Sequence, residues 1–206
     1  MKWGIKIIYF CRFIFVMNSI YDVVTLRFLQ AAFLLGSVLL TFVPELFTKV
    51  TKVKIPVGAR LIYVLFLLCS QWLGTYLDFY VYFFWWDIAL HFISGIFIGY
   101  VALLILIALD RKMTLFRMNC TGLIVTFVFA IAVTGAGLWE IIEFLGDFFL
   151  KTTSQHGSLQ DTMGDILCGT VGGIIFAIYC ALVLHKKRES CIQSLVRLNQ
   201  VNRKHK

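Results

Sequence analysis

Apolar residues gather into six long runs, near residues 5–20, 26–43, 61–77, 88–109, 119–145 and 164–184, with short polar connections between them. Crossing about 30 Å of hydrocarbon takes roughly 20 helical residues, so runs of this length predict membrane-spanning helices and not the core helices of a soluble domain. The first run is short and carries Arg12, which leaves an interfacial helix open as its alternative. Pro44 marks an expected end of the second. Lys2 and Lys6 ahead of an apolar stretch resemble a signal peptide, but no small-residue cleavage site follows, so the stretch is read as a helix.

Polar positions orient the spans. Lys2 and Lys6, then Lys49, Lys52, Lys54 and Arg60, then Arg111, Lys112 and Arg117, then Lys186, Lys187 and Arg188 fall on alternate sides of the six runs. Short cytoplasmic loops carry the Lys and Arg excess, so this side is expected to be the cytoplasm, with both termini there. The connections near Asp22, Asp78 to Asp87 and Asp147 to Asp165 face outward in this reading, with Arg27 and Lys151 their only basic residues. The expected fold class is an all-α polytopic membrane bundle. Residues 1–188 form one transmembrane domain, and residues 189–206 form a basic cytoplasmic tail.

Composition agrees: the chain is 60% hydrophobic and only 15% charged, with a mean hydropathy of +0.88. A soluble globule needs more polar skin than that. The net charge of +8 is concentrated at the ends and in short loops. That placement favours anionic headgroups at the cytoplasmic face as the basic partner, with no nucleic acid. The expected location is the cell membrane. Cys69, Cys120, Cys168 and Cys180 lie in or beside apolar runs without CxxC spacing and read as small hydrophobes. The aromatic run Phe79 to Trp86 reads as an interfacial belt, with a ligand cage as the alternative.

The acids inside the runs change the picture most. Asp87 and His91 are one helical turn apart; Glu140, Glu143 and Asp147 follow at i, i+3 and i+7; Asp161 and Asp165 stand at i and i+4. An ionised side chain deep in a span costs about 2.5 to 3.5 kcal/mol and normally faces an interior or wet cavity. One imidazole with several carboxylates fits one divalent metal, Zn, Mn, Fe or Mg, held by residues drawn from Asp87, His91, Glu140, Glu143, Asp161 and Asp165. Glu140 and Glu143 are then the candidate catalytic residues. The alternatives are a satisfied polar network packing three helices, or a proton or ion pathway. Gly95 and Gly99 follow His91, and Gly169, Gly172 and Gly173 follow Asp165. Close approach of the fourth and sixth spans would therefore bring Asp87, His91 and Asp165 together. Gly135 and Gly137 are expected to loosen the fifth span before Trp139 and Glu140.

The segments WWDIALHF, WEIIEF and QDTMGD resemble, in type and order, the motifs of the YjdF-like bacterial membrane-spanning proteins, over roughly residues 85 to 180. That resemblance implies topology more than activity. A more distant similarity is to VanZ-like proteins, which are associated with glycopeptide resistance and close with a DxxxDxxxNxxG helix. Asp161, Asp165 and Gly172 fit that pattern, Gly169 stands in place of the Asn, and no clear ExxQ is present. The leading functional expectation is an outward-facing metal site that hydrolyses an envelope lipid or lipid-linked substrate. The rivals are a small ion- or proton-coupled transporter and a non-catalytic accessory protein.

Overall fold

The computed structural model describes residues 2–151, 155, 158–186 and 190–204, and among these every regular element is helical. Six helical stretches are long and apolar enough to cross a membrane: Trp3–Val24, Phe28–Thr51, Val57–Tyr76, Phe84–Leu109, Thr121–Phe149 and Leu159–His185. They coincide with the six runs, and most extend a turn or more beyond them. The chain divides into two compact units, residues 1–86 and 87–206.

In the first unit, α1 (Lys2–Val24) packs on α2 (Phe28–Leu40) and α4 (Val57–Leu67). Ile8, Cys11 and Val64 form a core there, with Leu61, Tyr63 and Leu68 against it. α4 runs straight on into π-helical turns over Leu68–Tyr76, followed by the short α5 (Phe79–Tyr82). Pro44 does not end the second span. It occupies the first turn of α3 (Val43–Thr51), which resumes after a break at Thr41 and Phe42. Proline is well suited to a first turn because the N–H it lacks would have had no helical partner there. Its missing bond to Leu40 is replaced: the Tyr63 hydroxyl donates to the Leu40 carbonyl at 2.9 Å. Neighbouring side chains commonly re-satisfy backbone freed at a broken span in this way.

The same break neutralises Arg12. Its guanidinium donates to Thr41 Oγ1 (2.9 Å), to the Thr41 carbonyl (3.0 Å) and to Glu45 Oε1 (3.0 Å), and it lies over the Phe42 ring at 3.8 Å. A charge held by this many partners no longer argues against a span. Asp22, expected in an outer connection, is instead inside α1 and fully buried. It accepts the Tyr76 hydroxyl at 3.2 Å and pairs with Arg27 at 3.3 Å. The aromatic run packs on itself, Phe79 lying edge-on to Phe83 and Trp86 with centroids 5.0 and 5.1 Å away. Val81, Tyr82 and Phe84 remain exposed, as an interfacial belt requires.

The second unit holds α6 (Phe84–Leu109) from Asp87 onward, α7 (Thr114–Arg117), α8 (Thr121–Leu150), α9 (Leu159–Lys186) and α10 (Cys191–Lys204). α6 and α9 run parallel, with α8 antiparallel to both, and they meet through small residues. A Cβ on Gly95 would strike the Gly169 carbonyl, and one on Gly172 the Phe92 carbonyl. Gly169 lies 3.0 Å from the Ala136 methyl by the same measure, and Gly173 lies 2.6 Å from that of Ala132. Backbone therefore approaches backbone, the arrangement by which membrane helices gain packing without a hydrophobic driving force. Gly135 belongs to this packing too, since a Cβ there would come within 2.9 Å of Ile98. α8 passes unbroken through Gly135 and Gly137.

Within the basic tail over residues 189–206, α10 has a packed face. Ile192, Leu195, Val196 and Asn199 fall on one stripe at i, i+3, i+4 and i+7, all buried, and the helix packs on α9. Lys187, Arg188 and Lys206 lie outside the described residues, as do the side chains of Lys186, Arg203 and Lys204.

Candidate metal centre

The small-residue packing sets the site in layers, because α6, α8 and α9 each repeat their contact residues one turn apart. Gly95, Gly169 and Ala136 make one layer. One turn further toward the start of α6 and α9, the corresponding positions are His91, Asp165 and Glu140, and all three are buried. Asp87 stands one turn beyond His91 on α6 and is half-buried. The glycines thus do what their spacing predicted, by bringing the stripe of α6 onto that of α9.

His91 is the hub. Its Nε2 lies 3.3 Å from Asp87 Oδ1 and 4.0 Å from Asp165 Oδ2, while Nδ1 lies 3.8 Å from Glu140 Oε1. Asp87, His91 and Asp165 each offer one ligand atom, and these atoms lie within 4.8 Å of one another. Two ligands that each sit about 2.0 to 2.2 Å from one ion are roughly 3 to 3.6 Å apart. The Asp87–His91 spacing already has that value, and Asp165 needs only a small approach. Glu140 Oε1 faces the other ring nitrogen from 3.8 Å, beyond hydrogen-bond distance. Metal-bound histidines commonly give that N–H to a carboxylate, which fixes the tautomer and turns the free nitrogen to the ion.

Glu140 is 3% exposed, and neither carboxylate oxygen meets a hydrogen-bond donor among the described residues. Its backbone carbonyl, by contrast, accepts Gln155 Nε2 at 3.3 Å. A buried carboxylate without donors is costly and marks a place where a cation or a proton belongs.

The other two sequence-selected acids lie outside this group. Glu143 is turned to its own helix, where it accepts Trp139 Nε1 at 2.8 Å. Asp161 is half-buried in the first turn of α9, where its backbone N–H donates to Ser158 Oγ at 3.3 Å. Asp147 accepts the Gln155 backbone N–H at 3.0 Å, which ties the connection after α8 to that helix. Gln155 went unnoticed in the sequence because it stands in a connection, where no helical periodicity can single it out.

Beside the cluster, a cavity of about 600 Å³ lies between α8 and the start of α9. Gly137, Glu140, Ile141 and Phe144 line it from α8, and Leu159 and Ile166 are among those that face them from α9. Glu140 therefore borders both the cavity and the His91 cluster.

Fold and site together define a multi-pass α-helical membrane protein with a buried, acid-rich cluster between three of its spans. Over residues 2–186 the chain matches the family described as "Predicted membrane protein (DUF2238)", and it belongs to that family. It is also 30% identical over 140 residues to an uncharacterized protein of Thermotoga maritima, an overlap that covers 66% of this chain and 70% of the relative. No solved structure matches the chain. Every residue of the cluster falls inside the family match.

Proposed function

We propose that Asp87, His91 Nε2 and Asp165 bind one divalent cation in a bacterial cytoplasmic-membrane protein, and that this centre hydrolyses an envelope lipid or lipid-linked substrate. The observation that carries this reading is the charge imbalance: three carboxylates, two of them buried, surround one imidazole whose two nitrogens face different acids. A divalent ion offsets that surplus better than a single proton does. Once bound, it would polarise a carbonyl or phosphoryl oxygen and acidify a water. We assign Glu140, at the imidazole's other nitrogen, to orienting His91, with Glu143 held aside by Trp139. The motif order shared with YjdF-like proteins is consistent with this placement, and the alternation of basic loops supports an outward site with both termini in the cytoplasm. On the cytoplasmic side those loops would meet anionic headgroups.

A carrier that used the same acids as a proton relay would need a polar path continuing away from the cluster. The glycine–alanine layers and the buried Leu103, Ile107, Ile124 and Val128 fill that direction with apolar groups, and this ranks the carrier second. Calorimetric titration of the purified protein with Mn²⁺ or Zn²⁺ tests the proposal. We expect one ion per chain, with affinity reduced at least about 100-fold in His91→Ala and Asp165→Ala, more than the loss of an outer partner causes. Absence of stoichiometric binding, or binding unchanged in both variants, would reject the metal centre. A substrate-dependent pH change in proteoliposomes that disappears in Glu143→Gln would put the carrier first.

A further inference from the structure

We infer that Arg60, Lys52 and Lys54 form a discrete site for the headgroup of one anionic phospholipid at one end of the first unit, narrower than the general attraction of basic loops. The residues of that end place it at headgroup level. A Cβ on Gly4 would come within 3.2 Å of Val57, so α1 and α4 start side by side. Trp3 is exposed there, and an exposed indole prefers the membrane–water interface. Leu46 and Val50 on α3 and Ile62 on α4 are exposed as well, and on membrane-length helices such side chains meet hydrocarbon. Lys52 follows Val50 by two residues and Arg60 precedes Ile62 by two. The cations therefore stand where acyl chains end and phosphates begin.

Three features make these cations a site. The stretch from Lys52 to Pro56 has no regular structure, yet Val53 and Ile55 are buried while Lys52 and Lys54 are exposed. Alternate burial pins the main chain and presents both lysines from one side. Thr51 Oγ1 accepts the Val53 N–H at 3.2 Å and donates to the Phe47 carbonyl at 2.7 Å, which ties the stretch to the end of α3. Little ordering is then left for a ligand to impose. Arg60, the second feature, is incompletely neutralised. Its Nη1 lies 3.7 Å from Glu45 Oε1, an oxygen that Arg12 already holds at 3.0 Å, and its side chain is 33% exposed. Between residues 44 and 60, Lys49, Lys52, Lys54 and Arg60 stand against Glu45 alone. The third feature selects the headgroup. Glu45 is committed, with Oε1 on the two arginines and Oε2 buried. A zwitterionic headgroup would bring its ammonium among cations with no acid to receive it, whereas a phosphodiester that carries only hydroxyls supplies the missing negative charge. The ligand class is therefore a lipid of the phosphatidylglycerol type.

Native mass spectrometry of the purified protein, titrated with phosphatidylglycerol or phosphatidylethanolamine of the same acyl chains, tests this. One phosphatidylglycerol is expected to stay bound per chain, with phosphatidylethanolamine at least about fivefold weaker, the worth of one charge near such a surface. Lys52→Gln combined with Lys54→Gln should lower phosphatidylglycerol affinity about 25-fold, roughly fivefold for each cation removed. Arg60→Gln should lower it at least about fivefold by the same measure. Both lysines are exposed, so their variant tests the site even where loss of Arg60 disturbs folding. Arg111→Gln combined with Lys112→Gln removes two exposed cations of another basic connection and is the control expected to bind as wild type. An equal loss in that control would overturn the site in favour of diffuse attraction. Phosphatidylethanolamine bound as tightly would overturn it as well, and displacement of the lipid by millimolar inorganic phosphate would replace it with a site for soluble phosphate. Lipid counts are read without added metal, so this inference and the metal centre fail separately.

Discussion

The first and second units both bury charge in membrane-length helices, and they neutralise it in opposite ways. In the first, each buried charge has an opposite charge beside it: Asp22 pairs with Arg27 and Arg12 with Glu45. Arg12 finds acceptors in a backbone carbonyl, a threonine hydroxyl and Glu45, with Arg60 a further 3.7 Å from Glu45. In the second the buried charges are mainly carboxylates, and Glu140 finds no donor among the described residues. The difference follows from what a helix can offer. A carbonyl already bonded within the helix has a second lone pair to give an arginine, whereas a backbone N–H already bonded has nothing left for a carboxylate. An arginine inside a span can thus be absorbed by structure alone. Clustered acids cannot, and that makes them the stronger sign of a ligand.

Three substitutions probe that contrast, in order of expected effect. Gly172→Val places a branched side chain against the Phe92 carbonyl. It should cost more than about 3 kcal/mol and prevent the second unit from folding, read as loss of a monodisperse, protease-resistant product. Gly122→Val, where nothing lies within 4 Å, is the control expected to behave as wild type. Arg12→Met removes the hub of the first unit and leaves Glu45 with Arg60 alone. The expected loss is about 2 to 4 kcal/mol in detergent unfolding, below the full value of a fully buried pair because Glu45 is partly exposed. Mn²⁺ affinity should not change, and a change would show that the two charged regions are not independent. Glu140→Gln should weaken metal binding about 10- to 100-fold, the cost of losing an outer carboxylate on a metal-bound histidine. Without metal it should raise stability by about 1 kcal/mol, because a donorless buried charge is replaced by a neutral amide. A lower melting temperature of the metal-free variant would mean that Glu140 is already satisfied, which would dissolve the contrast.

The six spans were legible because a hydrocarbon slab imposes a length that apolar runs must meet. Their ends were less so: α1 reaches Val24 and carries Asp22 inward, since Tyr76 and Arg27 receive its carboxylate from positions 54 and 5 residues away in the chain. No local pattern announces such partners, nor that Glu45 waits 33 residues beyond Arg12. The stripes of α6 and α9 put Asp87, His91 and Asp165 on faces that meet, because spacing by one turn fixes a common face. It does not fix how far along that face the neighbouring helices reach. Asp161 therefore shares the stripe of Asp165 and the level of Asp87 yet is not among the ligand atoms that come together, and Glu143, displaced by about 60° from Glu140, bonds within its own helix. The packing of α10 was hidden because its buried stripe is only four residues long and is interleaved with polar and basic positions.

The glycine contacts beneath His91 also set a size limit. Side chains can re-pack around an intruder, but the α6 and α9 backbones already touch at Gly95 and Gly169, one turn below the ligands. The spacing between His91 and Asp165 is then governed by main chain and cannot widen without parting the helices. In the proposed site Asp87 Oδ1 already stands 3.3 Å from His91 Nε2 and Asp165 Oδ2 4.0 Å, so closing on an ion that bonds at about 2.0 to 2.2 Å falls to rotation of the Asp165 side chain and not to movement of the helices.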